Sequence, residues 1–78
     1  MVKAYILIVT DPGATKQVFD SLSAVKGVTE VHEVMGPYDM IVELDVPTLA
    51  EVPPILSNQI RIVPGIQSTT SLVSFPDA

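Results

Sequence analysis

Apolar and polar positions in this chain fall into short blocks whose period changes along the sequence. Lys3 to Val9 is apolar on both alternating faces, with Tyr5, Leu7 and Val9 on one and Ala4, Ile6 and Ile8 on the other. A strand with two apolar faces belongs in the middle of a sheet covered on both sides. Thr10-Asp11-Pro12-Gly13 ends it. The period then lengthens. Ala14, Val18, Leu22 and Val25 recur at helical spacing, and Phe19 widens the stripe. Lys26 suits the C-terminus of that helix, and Gly27 suits a left-handed cap. Val28 to Val34 reads as a second strand, polar enough at Thr29, Glu30, His32 and Glu33 for a sheet edge. Met40 to Val46 reads as a third. Met40, Val42, Leu44 and Val46 share one face, and Ile41, Glu43 and Asp45 the other.

The second helical region carries a conflict. Thr48 and Glu51 have the spacing of a capping box. Pro53 and Pro54 then fall inside the helix, where each removes a hydrogen bond and crowds the preceding turn. The pattern therefore predicts a main helix from Pro54 to Ile62, with Pro54 at its first position and a separate turn from Thr48 to Val52. Ile55, Leu56, Ile60 and Val63 give its buried face. Ile66 to Phe75 is the last strand, and Pro76-Asp77-Ala78 is a tail.

The halves echo each other. Val25-Lys26-Gly27-Val28 follows the first helix and Val63-Pro64-Gly65-Ile66 the second. The order βαββαβ predicts an α+β, ferredoxin-like fold: a four-stranded antiparallel sheet with two helices on one face. The open face is expected to carry Tyr5, Leu7, Val9, Ile41 and Val73.

Composition sharpens that expectation. A chain of 78 residues is expected to form a single domain over residues 1–78. Its hydrophobic fraction is 47% and its mean hydropathy +0.46, while folding at this size buries only about 60 to 65% of the unfolded surface. That is more apolar matter than a small monomer hides, so the chain is expected to dimerise through the open sheet face. The longest apolar run, Ala4 to Val9, is too short to span a bilayer, and no cleavage site follows it. No membrane contact and a cytoplasmic location are expected. The net charge is −5, and Lys3, Lys16, Lys26 and Arg61 are scattered. Without a basic patch the chain is not expected to bind nucleic acid directly.

Reaction chemistry is thinly represented. There is no cysteine and one histidine, His32, which reads as a solvent-facing residue of an edge strand. Glu30, Glu33, Glu43 and Asp45 do not fall at a recognisable ligand spacing, and no Walker-type phosphate loop occurs. No catalytic residue, metal or cofactor is expected. Two features remain. In Val34-Met35-Gly36-Pro37-Tyr38-Asp39-Met40, Gly36 and Pro37 suffice to turn the chain. Tyr38 and Asp39 are extra, an aromatic ring and a carboxylate at the mouth of a strand. In the last strand Gln67, Thr69 and Ser71 alternate onto one face. They keep an edge strand soluble, or they form a wall of donors and acceptors for a zwitterion or carboxylate.

The βαββαβ order, the Lys-Gly and Pro-Gly joints, Gly36-Pro37-Tyr38-Asp39 and the hydroxyls of the last strand together resemble the effector-binding domain of Lrp/AsnC transcriptional regulators, also called the RAM domain. The resemblance covers nearly the whole chain. Gly36, Tyr38 and Asp39 match a Gly-x-Tyr-Asp motif, and Thr69 and Ser71 match two hydroxyl positions. Gln67 replaces a third hydroxyl, and Pro53 and Pro54 depart from an unbroken helix. The resemblance implies an amino-acid effector bound where dimers meet, by the Gly-x-Tyr-Asp loop of one chain and strand-four hydroxyls nearby. It implies a homodimer and a higher ring, octamer-like. It also implies a stand-alone form without the helix-turn-helix, acting on transcription through hetero-assembly with full-length regulators. Two other readings stay open. Thr10-Asp11-Pro12-Gly13 is similar to the first loop of ACT domains, which bind amino acids there. A small dimeric α/β-barrel enzyme shares the element order but calls for a His, Asn or Trp in a pocket; this chain offers His32 and Asn58.

Overall fold

Alternate residues in the middle of the first strand are fully buried. Ala4, Ile6 and Ile8 have no exposure, and Tyr5, Leu7 and Val9 between them are half-buried. This is the signature of a central strand with one face under helices and one face open. The computed structural model describes residues 2–75. Its elements are β1 (Val2–Thr10), α1 (Thr15–Ser23), β2 (Val28–Glu33), β3 (Met40–Val46), a helical stretch in three parts, and β4 (Ile66–Val73). The strands form one antiparallel sheet in the order β2-β3-β1-β4. This is the expected ferredoxin-like arrangement.

Val18 and Leu22 of α1, with Val52, Leu56 and Ile60 of the second helical stretch, close over Ile6, Ile8, Met40, Val42 and Leu44. Burying each of these aliphatic side chains is worth about 1.5–3 kcal/mol. α1 is shorter than its apolar stripe. It ends at Ser23, so Lys26 lies beyond it, but Gly27 still turns the chain with φ +95°.

The second helical stretch corrects the sequence reading. It begins before the prolines: a 3₁₀ turn at Leu49–Glu51 runs into α2 (Val52–Ile55), then a π-helical turn at Leu56–Ile60. Pro53 and Pro54 fall in the first turn of α2, where N–H groups have no intrahelical acceptor to lose. The Glu51 carboxylate accepts from the Thr48 N–H at 3.2 Å, as the capping spacing predicts. Val52, outside the expected helix, is a core residue. In the π turn the Arg61 N–H bonds Leu56 O at 2.9 Å.

The register of β4 brings two further corrections. Ala4 pairs with Val73 and Tyr5 with Leu72, so Val73 lies on the helix side and Leu72 joins Tyr5, Leu7, Val9 and Ile41 on the open face. The cause is a bulge. Val9 pairs with Ser68 but Thr10 with Ile66, which leaves Gln67 as an extra residue. Beyond that point the alternation counted from the start of the strand is inverted. No helix among the described residues is long and apolar enough to cross a membrane.

Candidate functional site

Three loops meet at one end of the sheet: the β1–α1 turn, the β2–β3 hairpin loop and the connection into β4. Thr10, the last residue of β1, is the one buried polar residue among the described residues, 6% exposed. Its N–H donates to Asp39 Oδ2 at 2.8 Å, and its hydroxyl lies 3.4 Å from the same oxygen and 2.9 Å from the Thr15 hydroxyl. The Asp39 N–H donates to Ile8 O at 2.9 Å, and Asp39 O accepts from the Val34 N–H at 3.0 Å. Asp39 therefore pins the hairpin loop onto the end of β1. A carboxylate accepting from a backbone N–H is a strong, charge-assisted bond. The sequence singled out Asp39 as a ligand group; its first use is structural. Its other oxygen, Oδ1, has no bond within the described residues, and no buried side-chain oxygen is left unpaired. Oδ1 is thus not a buried, unpaired oxygen.

The pinned loop presents Gly36 and Pro37 exposed and Tyr38 half-buried. Gly36 has φ +140°, and nothing lies within 4 Å of where a Cβ would stand. The Asp11-Pro12-Gly13 turn is tied into the same end. Asp11 N–H reaches Gly65 O at 2.7 Å, and Ala14 N–H reaches Asp11 O at 3.0 Å. The two loops that the sequence offered as rival sites are therefore neighbours, joined through Thr10 and Asp39.

β4 runs away from this end. Thr69 pairs with Ile8 and Ser71 with Ile6, so both hydroxyl residues lie on the helix side of an edge strand. Gln67, at the bulge, leaves the shared alternation expected of it. It nevertheless lines a groove of about 330 Å³ with Arg61, Ile66, Ser68 and Thr69. Arg61 Nε donates to Thr69 Oγ1 at 3.2 Å. Five of the six expected ligand residues thus fall in two groups: Gly36, Tyr38 and Asp39 on the hairpin loop, and Gln67 and Thr69 in the groove. Ser71 lines neither. Arg61 was missed. It is the chain's only arginine and stands eight residues before Thr69 across a Pro-Gly turn, a signal that helical periodicity does not weigh.

A second groove, about 290 Å³, lies at the other end of the sheet between Lys26, Asp45, Glu51 and Ile55. On the open face the strand register gathers Glu30, His32 and Glu43, which sequence spacing keeps apart. His32 Nε2 is 3.2 Å from Glu30 and 3.5 Å from Glu43, and Lys3 Nζ is 3.8 Å from Glu43. Such exposed pairs contribute at most about 1 kcal/mol each.

Comparison with known proteins agrees with this architecture. The family model described as the Lrp/AsnC ligand binding domain matches residues 3–76. An HTH-type transcriptional regulator of Pyrococcus furiosus is 35% identical over 75 residues, which make up 92% of this chain and 50% of that protein. The chain spans about half the length of the curated relatives it matches. Among solved structures, the hypothetical protein PHS023 from Pyrococcus horikoshii is 35% identical with a TM-score of 0.90, covering 99% of this chain and 93% of that one. The transcriptional regulator NMB0573 of Neisseria meningitidis, solved as an L-Met complex, shares the fold at 13% identity and a TM-score of 0.85, over 97% of this chain and 51% of its own. The chain belongs to the Lrp/AsnC ligand-binding-domain family.

Proposed function

We propose that this chain is an amino-acid-sensing module that acts on transcription through its assembly state, without enzymatic activity. The observation that carries the reading is the hairpin loop. Asp39 locks it to β1 through Oδ2 and leaves Oδ1 without a bond among the described residues, so a fixed carboxylate oxygen sits in the same loop as exposed Gly36 and Pro37. A preorganised oxygen of this kind suits an ammonium group. Tyr38 supplies an aromatic wall, and Gln67, Thr69 and Ser71 supply neutral partners. The groove does not include Gly36, Tyr38 or Asp39. A site using both groups is therefore completed by a neighbouring copy, as the family resemblance implies. The neighbour solved with L-Met lends support to an amino-acid effector.

A second copy is also proposed to cover the open sheet face, where Tyr5, Leu7, Val9, Ile41 and Leu72 form an apolar strip. Higher assembly into a ring, and mixed assembly with full-length regulators, follow from the same reading. With a net charge of −5 the chain itself is not expected to hold DNA, and it is proposed to work in the cytoplasm. The test is a thermal-shift screen of the twenty L-amino acids combined with light scattering. At least one amino acid should raise the melting temperature or change the assembly size. Leu7→Lys should dissociate or unfold the protein by putting a charge into the sheet contact. A monodisperse wild-type monomer that no amino acid stabilises would sink the proposal.

A further inference from the structure

Two described basic side chains are paired: Lys3 with Glu43 and Lys16 with Asp20. Among the described residues Lys26 and Arg61 have no ion-pair partner. Their settings differ. The groove at Lys26 is also lined by Asp45 and Glu51, so its lining is net negative. The groove at Arg61 is lined by Ile66, Gln67, Ser68 and Thr69 and carries no acid. In a chain with nine acidic and four basic residues, this groove stands out for an uncompensated cation.

The arginine is also oriented. Its backbone N–H closes the π-helical turn on Leu56 O, and π turns recur at functional sites. Its Nε–H is taken by Thr69 Oγ1. A guanidinium has five N–H donors in a rigid fork. With the Nε donor used, four remain on the two terminal nitrogens, and that edge matches a carboxylate in a bidentate pair. Thr69 is thus a positioning residue, because it fixes the plane of the fork. Beside it, half-buried Ile66 offers an apolar wall, and the bulged Gln67 and Ser68 offer an amide and a hydroxyl. The volume lies at the small end of ligand sites, which suits a molecule of amino-acid size.

We propose that Arg61, held by Thr69, is the carboxylate-binding group of the effector site, with the groove along Ile66–Thr69 receiving the atoms next to that carboxylate. The inference rests on the amino-acid-binding reading above and adds to it the group that recognises the acid. Asp39 Oδ1 and Arg61 then divide the zwitterion between them, one taking the ammonium and the other the carboxylate.

The test compares each stabilising L-amino acid with its own carboxamide by calorimetric titration. L-methionine with L-methioninamide and L-leucine with L-leucinamide are the first pairs. The amide keeps the ammonium and side chain but loses the negative charge. On the unmodified protein the amide should bind about 10- to 100-fold more weakly, the range for losing a charge-assisted hydrogen bond. Arg61→Gln should weaken the acid by the same factor and leave the amide unchanged, with Arg61→Lys in between. Thr69→Val should weaken the acid by about 2- to 10-fold, as for a neutral hydrogen bond. A merely structural Arg61 would lower acid and amide binding together. If Arg61→Gln fails to fold by circular dichroism, the acid–amide comparison on the unmodified protein decides. Equal binding of acid and amide overturns the assignment and leaves the amino-acid reading intact. Protection by inorganic phosphate equal to that by the amino acid also overturns it. If none of the twenty amino acids binds, both readings fall.

Discussion

At one end of the sheet three loops are joined by polar bonds: Thr10 to Asp39, Asp11 to Gly65, and Arg61 to Thr69. At the other end the Asp45 N–H reaches Gly27 O at 2.9 Å, and the atoms nearest a Cβ on that glycine are the aliphatic ends of Ile55 and Val46. Each end has one helix-to-strand glycine with nearly the same backbone, φ +99° at Gly65 and +95° at Gly27. The surroundings differ. A Cβ on Gly65 would stand 2.8 Å from Ala14 Cβ and 3.1 Å from Val18 Cγ2, atoms rooted close to the α1 backbone. A Cβ on Gly27 would meet Ile55 Cδ1 at 3.3 Å, the far end of a side chain that can move. The same turn device is tighter where the loops gather, and there its neighbours are less able to move. Precision is concentrated at the end that presents the candidate ligand groups.

Substitutions can break this contrast, starting with the glycines. Gly65→Ala should cost about 2–5 kcal/mol, from a left-handed conformation and overpacking against α1. Urea denaturation at fixed protein concentration measures it. Asp39→Ala should cost about 1–3 kcal/mol, because it removes the acceptor of a largely buried N–H, and Asp39→Asn should recover part of that by keeping an oxygen. If Asp39→Ala melts like wild type, the loop is held by something other than Thr10. Gly27→Ala should cost only about 1–2 kcal/mol, chiefly the left-handed conformation, because the Ile55 side chain can move aside. A loss equal to that of Gly65→Ala would erase the difference between the ends. Pro54→Ala should change stability by less than about 1 kcal/mol. It restores an N–H but frees the unfolded chain, and thermal unfolding is sensitive enough to show it.

The sequence made the scaffold legible because period and punctuation agree there. The alternation in Ala4–Val9 and Met40–Val46 and the two helix-ending glycines are local signals, and the strand order follows from chain handedness. What escaped depends on register. A single extra residue at Gln67 moved Val73 to the helix side and Leu72 to the open face, and no composition rule places a bulge in a hydroxyl-rich run. The prolines misled for a different reason. Their cost depends on position within a helix, and the start of the helix was the unknown. At the candidate site the Gly36-Pro37-Tyr38-Asp39 loop could be named as unusual. That Asp39 serves Thr10, or that Arg61 reaches Thr69, depends on contacts between residues 29 and 8 positions apart.

The bulge at Gln67 also bears on what copies of this chain can become. β2 and β4 are the free margins of the sheet. A straight, apolar margin invites another strand to dock along it, and repeated docking of that kind builds fibrils. Here β4 is bulged at its second residue and studded with Ser68, Thr69, Thr70 and Ser71, while β2 is six residues long and carries Glu30, His32 and Glu33. Neither margin is a good template for open-ended growth. The proposed self-association would then use the broad face and the loop-rich end, surfaces that can be satisfied in a closed particle of finite size.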